Sequence, residues 1–314
     1  MKQASPHRAS ASVDPVVSSR GSVSASFKGI RKPNPGEPIS FEDGAFHVGA
    51  EPCSTLVLQA GGDSDWWARQ NQSLDSYKVQ HEAREIDPTD LAVYRLFGSY
   101  INAAAFKTRA PNPLVLDVGC GIFPRPSPAC EQLDERCHYV GLDPLPHNMD
   151  RSYPFVCGRL EDLAALPDFT PRFDLFVFGT SLDHLEDLTS AAAAVQRLAA
   201  PGALLVCWNG LHEPENVVCG NSVAVFRTVL GYKNPVVAMG AFAGYGIVRL
   251  PRLLRRMRAQ RAVLAKEQSG DHHYRWFTEA NTERYLSEFG ELIDTVTLPN
   301  TNFGFATVRI KSAR

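Results

Sequence analysis

Residues 115–121 read VLDVGCG, an apolar run that ends in the pattern Asp-x-Gly-x-Gly. An apolar run without polar alternation is typical of a strand that is covered on both faces. Glycines after such a strand allow a tight turn in which backbone amides approach a ligand closely. The dinucleotide fingerprint needs a third glycine, and Pro124 stands at that position. The stretch therefore predicts a nucleoside-binding turn and disfavours a nicotinamide-dependent oxidoreductase.

A second apolar run, residues 139–143 (YVGLD), ends in a carboxylate. Asp143 lies 24 positions after Gly119, where an acid at the tip of the next strand binds both hydroxyl groups of a ribose. A lone acid at a strand end is more often simply solvated. Because Asp143 is combined with the glycine turn at this spacing, we predict that it binds a ribose.

The surrounding sequence alternates short apolar runs with helical patterns. Apolar runs lie at residues 114–118, 139–142, 155–156, 175–178 and 203–208, and helices are predicted from about 89 to 108 and from 278 to 289. Residues 292–298 and 303–310 are β-rich and are joined by Pro-Asn-Thr-Asn, which is typical of an antiparallel hairpin. We therefore predict an α/β fold with a mostly parallel sheet and a C-terminal antiparallel hairpin.

In their order and spacing, these segments resemble the class I S-adenosylmethionine-dependent methyltransferases. The resemblance is carried by residues 116–121 (LDVGCG), 141–143 (GLD), 173–178 (FDLFVF), 181–187 (SLDHLED), 197–206 (RLAAPGALLV) and 276–278 (WFT). Within that superfamily the chain is most similar to the broad small-molecule group typified by ubiquinone-type methyltransferases, over about residues 114–310. The resemblance implies a Rossmann-like fold with a seven-stranded sheet and S-adenosylmethionine as cofactor. It also implies methyl transfer to a small molecule, with oxygen as the expected acceptor atom and nitrogen or carbon left open.

The resemblance places cofactor-binding residues at several strand ends. They are Asp117, Gly119, Cys120 and Gly121 for the methionine moiety, Asp143 for the ribose, Leu160 and Glu161 for adenine, and the backbone of Gly179 or Thr180 for the ammonium group. The adenine side departs from the family pattern, because Arg159 stands where an Asp often accepts the adenine amino group. A guanidinium has no acceptor, so Glu161 or Asp162 is expected to substitute, unless these two acids only begin a helix.

Two histidines are candidates for the base that a hydroxyl acceptor requires, since imidazole accepts a proton near neutral pH. His184 follows the fourth predicted strand, at residues 175–178, and it could instead only form hydrogen bonds within the loop. His212 follows the fifth strand, and its alternative is a solvated loop. No group of residues has metal-ligand spacing, so we expect a metal-independent reaction. The rival hypothesis is a non-catalytic protein that binds the nucleoside as a structural or regulatory ligand, and Arg159 supports it.

Composition divides the chain into three parts. Residues 1–40 are rich in Ser and Pro and are predicted to be a disordered tail. Residues 41–63 are predicted to form a short β-like segment. The resemblance implies a methyltransferase domain over residues 64–314, with a helical substrate or lid insertion expected at 210–275. A helix is predicted over residues 65–85, where Trp66, Trp67 and Tyr77 form either a lid over the cofactor or part of the core.

Charge and cysteine content indicate which binding partners and which cellular location to expect. The 32 basic and 34 acidic residues give a net charge of −2, which offers no basis for nucleic-acid binding. The seven cysteines include no C-x-x-C pair, and residues 1–30 lack the apolar segment of a secretory signal, so a reducing, cytoplasmic location is expected.

The insertion contains one further pattern, an apolar run at residues 235–248 followed by a basic amphipathic helix that extends to residue 261. The apolar run is too short to span a bilayer. Residues 235–261 are therefore expected to contact an anionic membrane surface peripherally, or a phosphorylated, lipid-linked or glycan substrate. The alternative is a solvated basic face over a buried stripe. Co-sedimentation with anionic vesicles tests the membrane expectation.

Overall fold

The computed structural model describes residues 29–58, 66–68, 70, 88–122, 124–145, 151–210, 277, 279–298 and 303–311. Strands in this part of the chain are β1 (Ile30–Arg31), β2 (Ile39–Glu42), β3 (Ala45–Val48), β4 (Glu51–Cys53), β5 (Thr55–Val57), β6 (Leu114–Val118), β7 (His138–Asp143), β8 (Phe155–Cys157), β9 (Phe173–Gly179), β10 (Ala199–Gly210), β11 (Gly290–Thr297) and β12 (Phe303–Ile310). The helices are α1 (Pro88–Lys107), α2 (Leu160–Ala165), α3 (Leu188–Leu198) and α4 (Glu279–Leu286).

The central sheet has the order β1-β5-β8-β7-β6-β9-β10-β12-β11 in the described residues. All neighbouring strands are parallel except β12, which runs antiparallel to both β10 and β11. The α/β fold and the C-terminal antiparallel hairpin are therefore confirmed. The seven strands from β8 to β11 are the predicted ones, but the sheet continues to nine because β5 and β1 pair onto the edge of β8. Without them β8 would present a row of unpaired backbone groups.

The folded chain begins earlier than the sequence predicts. Residues 39–53 form an antiparallel three-stranded sheet, β2-β3-β4, and β1 and β5 belong to the central sheet, so the predicted boundaries at residues 40 and 63 do not separate independent parts. The physical reason is that Ile39, Phe46 and Leu56 are fully buried in the main core. Residues 1–28 of the predicted tail lie outside the described residues.

Two apolar layers cover the sheet, one on each face. Alternation along β10 shows this arrangement, because Leu205 packs into the layer that holds α3, whereas Val206 and Trp208 pack into the layer that holds α1. Helix α1 confirms the predicted helix at 89–108 and directs Phe97 and Ile101 onto the sheet. Its position brings the N-terminal half of α1 to the carboxyl ends of β9 and β10.

Several predicted features fall largely outside the described residues. In the predicted helix at 65–85, residues 66–68 and 70 are helical, and Tyr77 is not described. The insertion at 210–275 is described only at Gly210, so the predictions for His212 and for residues 235–261 stay predictions. Within the described residues, no helix is long and apolar enough to cross a bilayer.

Candidate cofactor and active site

A pocket opens at the carboxyl ends of β6, β7, β9 and β10. Strand β6 lies between β7 and β9, so successive connections leave it toward opposite sides, which is the switch point where open α/β sheets bind ligands. The described lining contains the following side chains and backbone groups: Trp66, Gln70, Tyr94, Phe97, residues 117–122, Ser127, Ala129, residues 142–145, residues 159–161, Val177, residues 179–181, residues 184–186 and Trp208. Every predicted cofactor residue is in this set, from Asp117 to Thr180.

The glycine turn after β6 is held from two sides. Gly119 and Gly121 have φ angles of +76° and +75°, a region that residues with a Cβ rarely adopt. The amides of Gly119 and Cys120 both donate to the carbonyl of Leu142 at 2.8 and 3.2 Å, which ties the turn to β7. On the opposite side, the hydroxyl of Ser181 donates to the carbonyl of Val118. The turn is therefore rigid before any ligand binds.

Asp143 is buried at the tip of β7 and accepts a hydrogen bond from the glycine turn. Its Oδ2 accepts a hydrogen bond from the Gly121 amide at 2.9 Å, and its Oδ1 accepts one from the Leu145 amide at 2.9 Å. Burial raises the pKa of Asp143, and the two amide donors oppose that rise. Each carboxylate oxygen keeps a second lone pair, so the geometry leaves acceptors for two ribose hydroxyl groups.

Asp117 lies at the end of β6, beneath the glycine turn. Its Oδ2 accepts hydrogen bonds from the Tyr139 hydroxyl at 2.8 Å and from the Cys130 thiol at 3.5 Å. Burial raises the pKa of Asp117 to about 6, against these two hydrogen bonds. Sequence reasoning missed Tyr139, although the parallel pairing of β6 and β7 brings it one strand away from Asp117.

A half-buried arginine beside the turn was also missed. Arg151 donates from Nη2 to the Gly121 carbonyl at 2.9 Å, and its guanidinium lies 3.7 Å from the centre of the Phe155 ring. Its Nη1 is 3.7 Å from the Cys120 sulfur. Burial raises the pKa of the Cys120 thiol well above its usual value, so Cys120 is a neutral wall residue. Burial raises the pKa of both Asp117 and Asp143, and the charge of Arg151 opposes part of that rise.

On the predicted adenine side, the structure separates the two candidate acids. The Asp162 carboxylate accepts a hydrogen bond from the Arg159 amide at 3.0 Å, so it caps the first turn of α2, and it is absent from the described pocket lining. Glu161 and the buried Leu160 do line the pocket. The geometry therefore favours Glu161 over Asp162 as the acceptor for adenine.

Comparison with known proteins supports the same interpretation. Residues 116–207 match a family model described as a methyltransferase domain. This match covers the glycine turn, Asp143, β8, β9 and most of β10. Residues 116–207 are therefore identified as a methyltransferase domain. Its cofactor is S-adenosylmethionine.

Several solved structures resemble this chain at low sequence identity. One is the 1,6-didemethyltoxoflavin-N1-methyltransferase of Burkholderia thailandensis, with 14% identity and a TM-score of 0.48. The alignment covers 88% of this chain and 100% of that chain. The N-methyltransferase NodS of Bradyrhizobium japonicum has 15% identity and a TM-score of 0.42, and covers 76% and 98% respectively. A methyltransferase of Clostridium acetobutylicum has 13% identity and a TM-score of 0.43, and covers 77% and 98%. No curated protein matches the chain.

The charges of the methyltransferase pocket suit this cofactor. Four carboxylates and one guanidinium line it among the described residues, namely Asp117, Asp143, Glu161, Glu186 and Arg159. S-adenosylmethionine carries a sulfonium and an ammonium group against a single carboxylate, so a pocket with excess negative charge attracts it. In this pocket, Asp143 would hold the ribose, Asp117 the ammonium group, and Leu160 with Glu161 the adenine.

Backbone strain marks the end of β9 in the methyltransferase domain. Thr180 has a φ angle of +62°, although it is β-branched and this region is costly for such residues. Its amide donates to the Trp208 carbonyl at 2.9 Å, and its hydroxyl donates to the Gly179 carbonyl at 2.6 Å. The two bonds hold the strained peptide at the pocket edge, where the sequence predicts a contact with the ammonium group.

His184 lies in the pocket wall, in a short 3₁₀ turn (Leu182–His184) after β9. Its Nδ1 is 3.3 Å from Oε1 of Gln70, and its Nε2 is 3.6 Å from Oδ1 of Asp183. The carbonyl of His184 accepts a hydrogen bond from the Trp66 indole at 2.9 Å. These contacts support the loop-bonding alternative for His184, whereas the predicted role as a base remains a prediction.

Three aromatic side chains form a further wall of the methyltransferase pocket. Tyr94 and Phe97 of α1 meet Trp208 of β10, with ring centres 5.0 and 5.8 Å apart respectively. We call Tyr94, Phe97 and Trp208 the aromatic wall. The sequence predicts only a helix around Tyr94 and Phe97, because nothing local distinguishes a pocket-lining aromatic residue from a core one.

The pKa of Asp117 leads to a testable pH dependence. Because burial raises this pKa to about 6, the carboxylate is charged at pH 7 and loses its charge as the pH falls through 6. The affinity for S-adenosylmethionine is therefore expected to drop by about tenfold between pH 7 and pH 5. Calorimetric titrations across this range measure the effect.

The control for this experiment is Asp117→Asn, whose side chain does not titrate. Its affinity should be low and flat between pH 5 and pH 7. The groups that face Asp117 include Tyr139, Cys130, Asp143 and Arg151. If the variant kept the pH profile of the native protein, the titration would belong to one of the other pocket groups and the assignment to Asp117 would be wrong.

Proposed function

We propose that the protein transfers a methyl group from S-adenosylmethionine to a small molecule that binds against the aromatic wall. One observation carries the proposal. The glycine turn, the two buried carboxylates Asp117 and Asp143, and the aromatic wall all line the same pocket. Apolar walls with a few fixed polar groups are typical of small-molecule sites.

The described side chains have separate tasks in this reaction. When bound, S-adenosylmethionine supplies an activated methyl group. Asp143 fixes the ribose end of the site, and Asp117 holds the ammonium end. The aromatic wall excludes water and orients a flat or apolar acceptor for in-line attack, which is where a large part of the rate enhancement of such transfers arises.

We propose oxygen as the acceptor atom, with an acceptor that is lipophilic or aromatic. A hydroxyl acceptor must lose its proton, and a histidine base from the pocket side supplies that function, with His184 and His212 as candidates. A neutral amine needs no base before attack, so nitrogen methylation is the alternative that the same pocket accommodates. Comparing phenols with anilines of matched shape separates the two.

The test is methyl transfer from labelled S-adenosylmethionine to a panel of phenols, catechols, anilines and aliphatic amines. Turnover of an aromatic hydroxyl compound supports the proposal, and turnover of amines alone corrects the acceptor atom. Binding of S-adenosylmethionine and S-adenosylhomocysteine without transfer to any acceptor would favour a non-catalytic, regulatory binding protein.

The aromatic wall leads to a separate prediction about acceptor binding. In Tyr94→Ala the KM for the acceptor is expected to rise about tenfold, because a lost aromatic contact in an apolar site is worth roughly 1–2 kcal/mol, while the affinity for S-adenosylmethionine stays within about twofold. Phe106→Ala is the matched control, since Phe106 lies on the same helix and is 73% exposed. An equal KM for the acceptor in the two variants would show that the acceptor does not bind against the aromatic wall.

A further inference from the structure

Trp66 and Gln70 belong to the N-terminal segment, and both are bonded to the segment that follows β9. The Trp66 indole donates to the His184 carbonyl at 2.9 Å, and Oε1 of Gln70 lies 3.3 Å from Nδ1 of His184. Trp66 and Gln70 are 6% and 5% exposed, and both line the cofactor pocket. One residue of the β9 segment therefore holds two residues of the N-terminal segment, more than a hundred positions away in sequence.

Arg159 makes a second connection between the same segments. Its guanidinium carbon lies 5.0 Å from the centre of the Trp66 ring, within the range of a cation–π contact. Its Nη1 is 3.4 Å from Oε2 of Glu186, and its Nε is 3.5 Å from Oε2 of Glu161. Arg159 thus joins the N-terminal segment, the start of α2 and the segment after β9 at the adenine side of the pocket.

These contacts account for the residue that departs from the family pattern. An aspartate at position 159 would add a third carboxylate beside Glu161 and Glu186 and would repel both. It would also lose the contact with the face of the Trp66 ring. Arginine gives up an acceptor for adenine but holds three segments together, and its planar group suits stacking and ion pairing at once.

We propose that Trp66, Gln70, Arg159, His184 and Glu186 form a latch at the adenine side of the pocket, and that this latch slows the release of the bound cofactor. In this role Arg159 and His184 are positioning residues. The latch consists of a few polar and cation–π contacts between separate segments, so it opens without any change in the sheet. The inference rests on the proposed function only in that the bound ligand is S-adenosylmethionine or its product.

The experiment measures the dissociation rate of labelled S-adenosylhomocysteine, chased with excess unlabelled ligand. Arg159→Gln and Trp66→Phe are each expected to raise the dissociation rate about 5- to 20-fold, with the association rate changed by about twofold or less, because contacts that form after binding act mainly on release. Trp66→Phe keeps a buried ring under Arg159 and removes only the indole donor. Arg159→Lys should lie between Arg159→Gln and the native protein, because it keeps the charge but not the planar stack.

A matched control is Arg136→Gln, which removes an exposed arginine that pairs with Asp134 away from the pocket. Its dissociation rate should equal that of the native protein. Dissociation rates in Arg159→Gln and Trp66→Phe that both stay within twofold of the native value would overturn the latch. A native protein that binds neither S-adenosylhomocysteine nor S-adenosylmethionine would instead overturn the proposed function, so the two failures are distinguishable.

Discussion

Asp143→Asn is expected to weaken the binding of S-adenosylmethionine and S-adenosylhomocysteine by about 100-fold each. Both oxygens of Asp143 accept hydrogen bonds from backbone amides, those of Gly121 and Leu145. An asparagine turns one acceptor into a donor, which leaves one buried amide facing another donor. The turn is expected to move away from this mismatch, and its displacement and the weaker ribose contact together lower the binding free energy by about 3 kcal/mol, which corresponds to the 100-fold loss.

Calorimetry with the two sulfur nucleosides and with NAD measures this prediction. NAD is expected not to bind, because Pro124 replaces the third glycine of the dinucleotide fingerprint. Asp43→Asn is the matched control, since Asp43 is an exposed turn residue with a φ angle of +49° that asparagine tolerates. Native affinity in Asp143→Asn would place the ribose elsewhere in the pocket.

Gly119→Ala is expected to destabilise the fold by about 3 kcal/mol and to abolish cofactor binding. Its φ angle of +76° costs an alanine about 1–2 kcal/mol. In addition, the new Cβ would lie 2.5 Å from Cβ of Ser181, so the turn or the segment after β9 must move, at a further cost of about 1–3 kcal/mol. Either movement displaces the Gly121 amide from Asp143.

Denaturant unfolding and calorimetry together test the Gly119 prediction. Gly202→Ala is the matched control, because Gly202 has nearly the same φ angle, +80°, but no atom lies within 4 Å of its added Cβ. It should lose only the strain energy and keep native binding of S-adenosylmethionine. If the two variants lost the same stability and both bound the cofactor, the contact with Ser181 would affect neither the free energy of unfolding nor cofactor binding.

The sequence was sufficient for the elements that carry strong local patterns. The run that became β6, the acid at the tip of β7, and the C-terminal hairpin were all predictable, because buried parallel strands are uniformly apolar and glycine turns have a fixed spacing. The boundary at residue 40 was not predictable. Strand β1 has only two residues, Ile30 and Arg31, which is too short for a periodic pattern to indicate that it pairs with β5 and extends the sheet.

Residues that act through long-range contacts were the ones missed. Tyr139, Arg151 and Ser181 support the cofactor turn from three different segments. Each looks ordinary in its own neighbourhood, as a tyrosine in a strand, an arginine in a loop and a serine after a strand. Only the pairing of β6 with β7 and β9 brings them to Asp117, Gly121 and Val118.

The sequence by itself determined the fold class and the ribose-binding turn, because strand periodicity, the glycine turn and the spacing to Asp143 are local properties of the chain. The family and the cofactor followed from the resemblance of these segments to known methyltransferases. The tertiary structure alone decided which acids face the pocket, which aromatic residues line it, and what Arg159 does. Asp162 and Glu161 are neighbours in sequence, yet one caps a helix and the other lines the pocket. That difference depends on the direction in which each side chain leaves α2, and the direction is set by packing between segments that are distant in the chain.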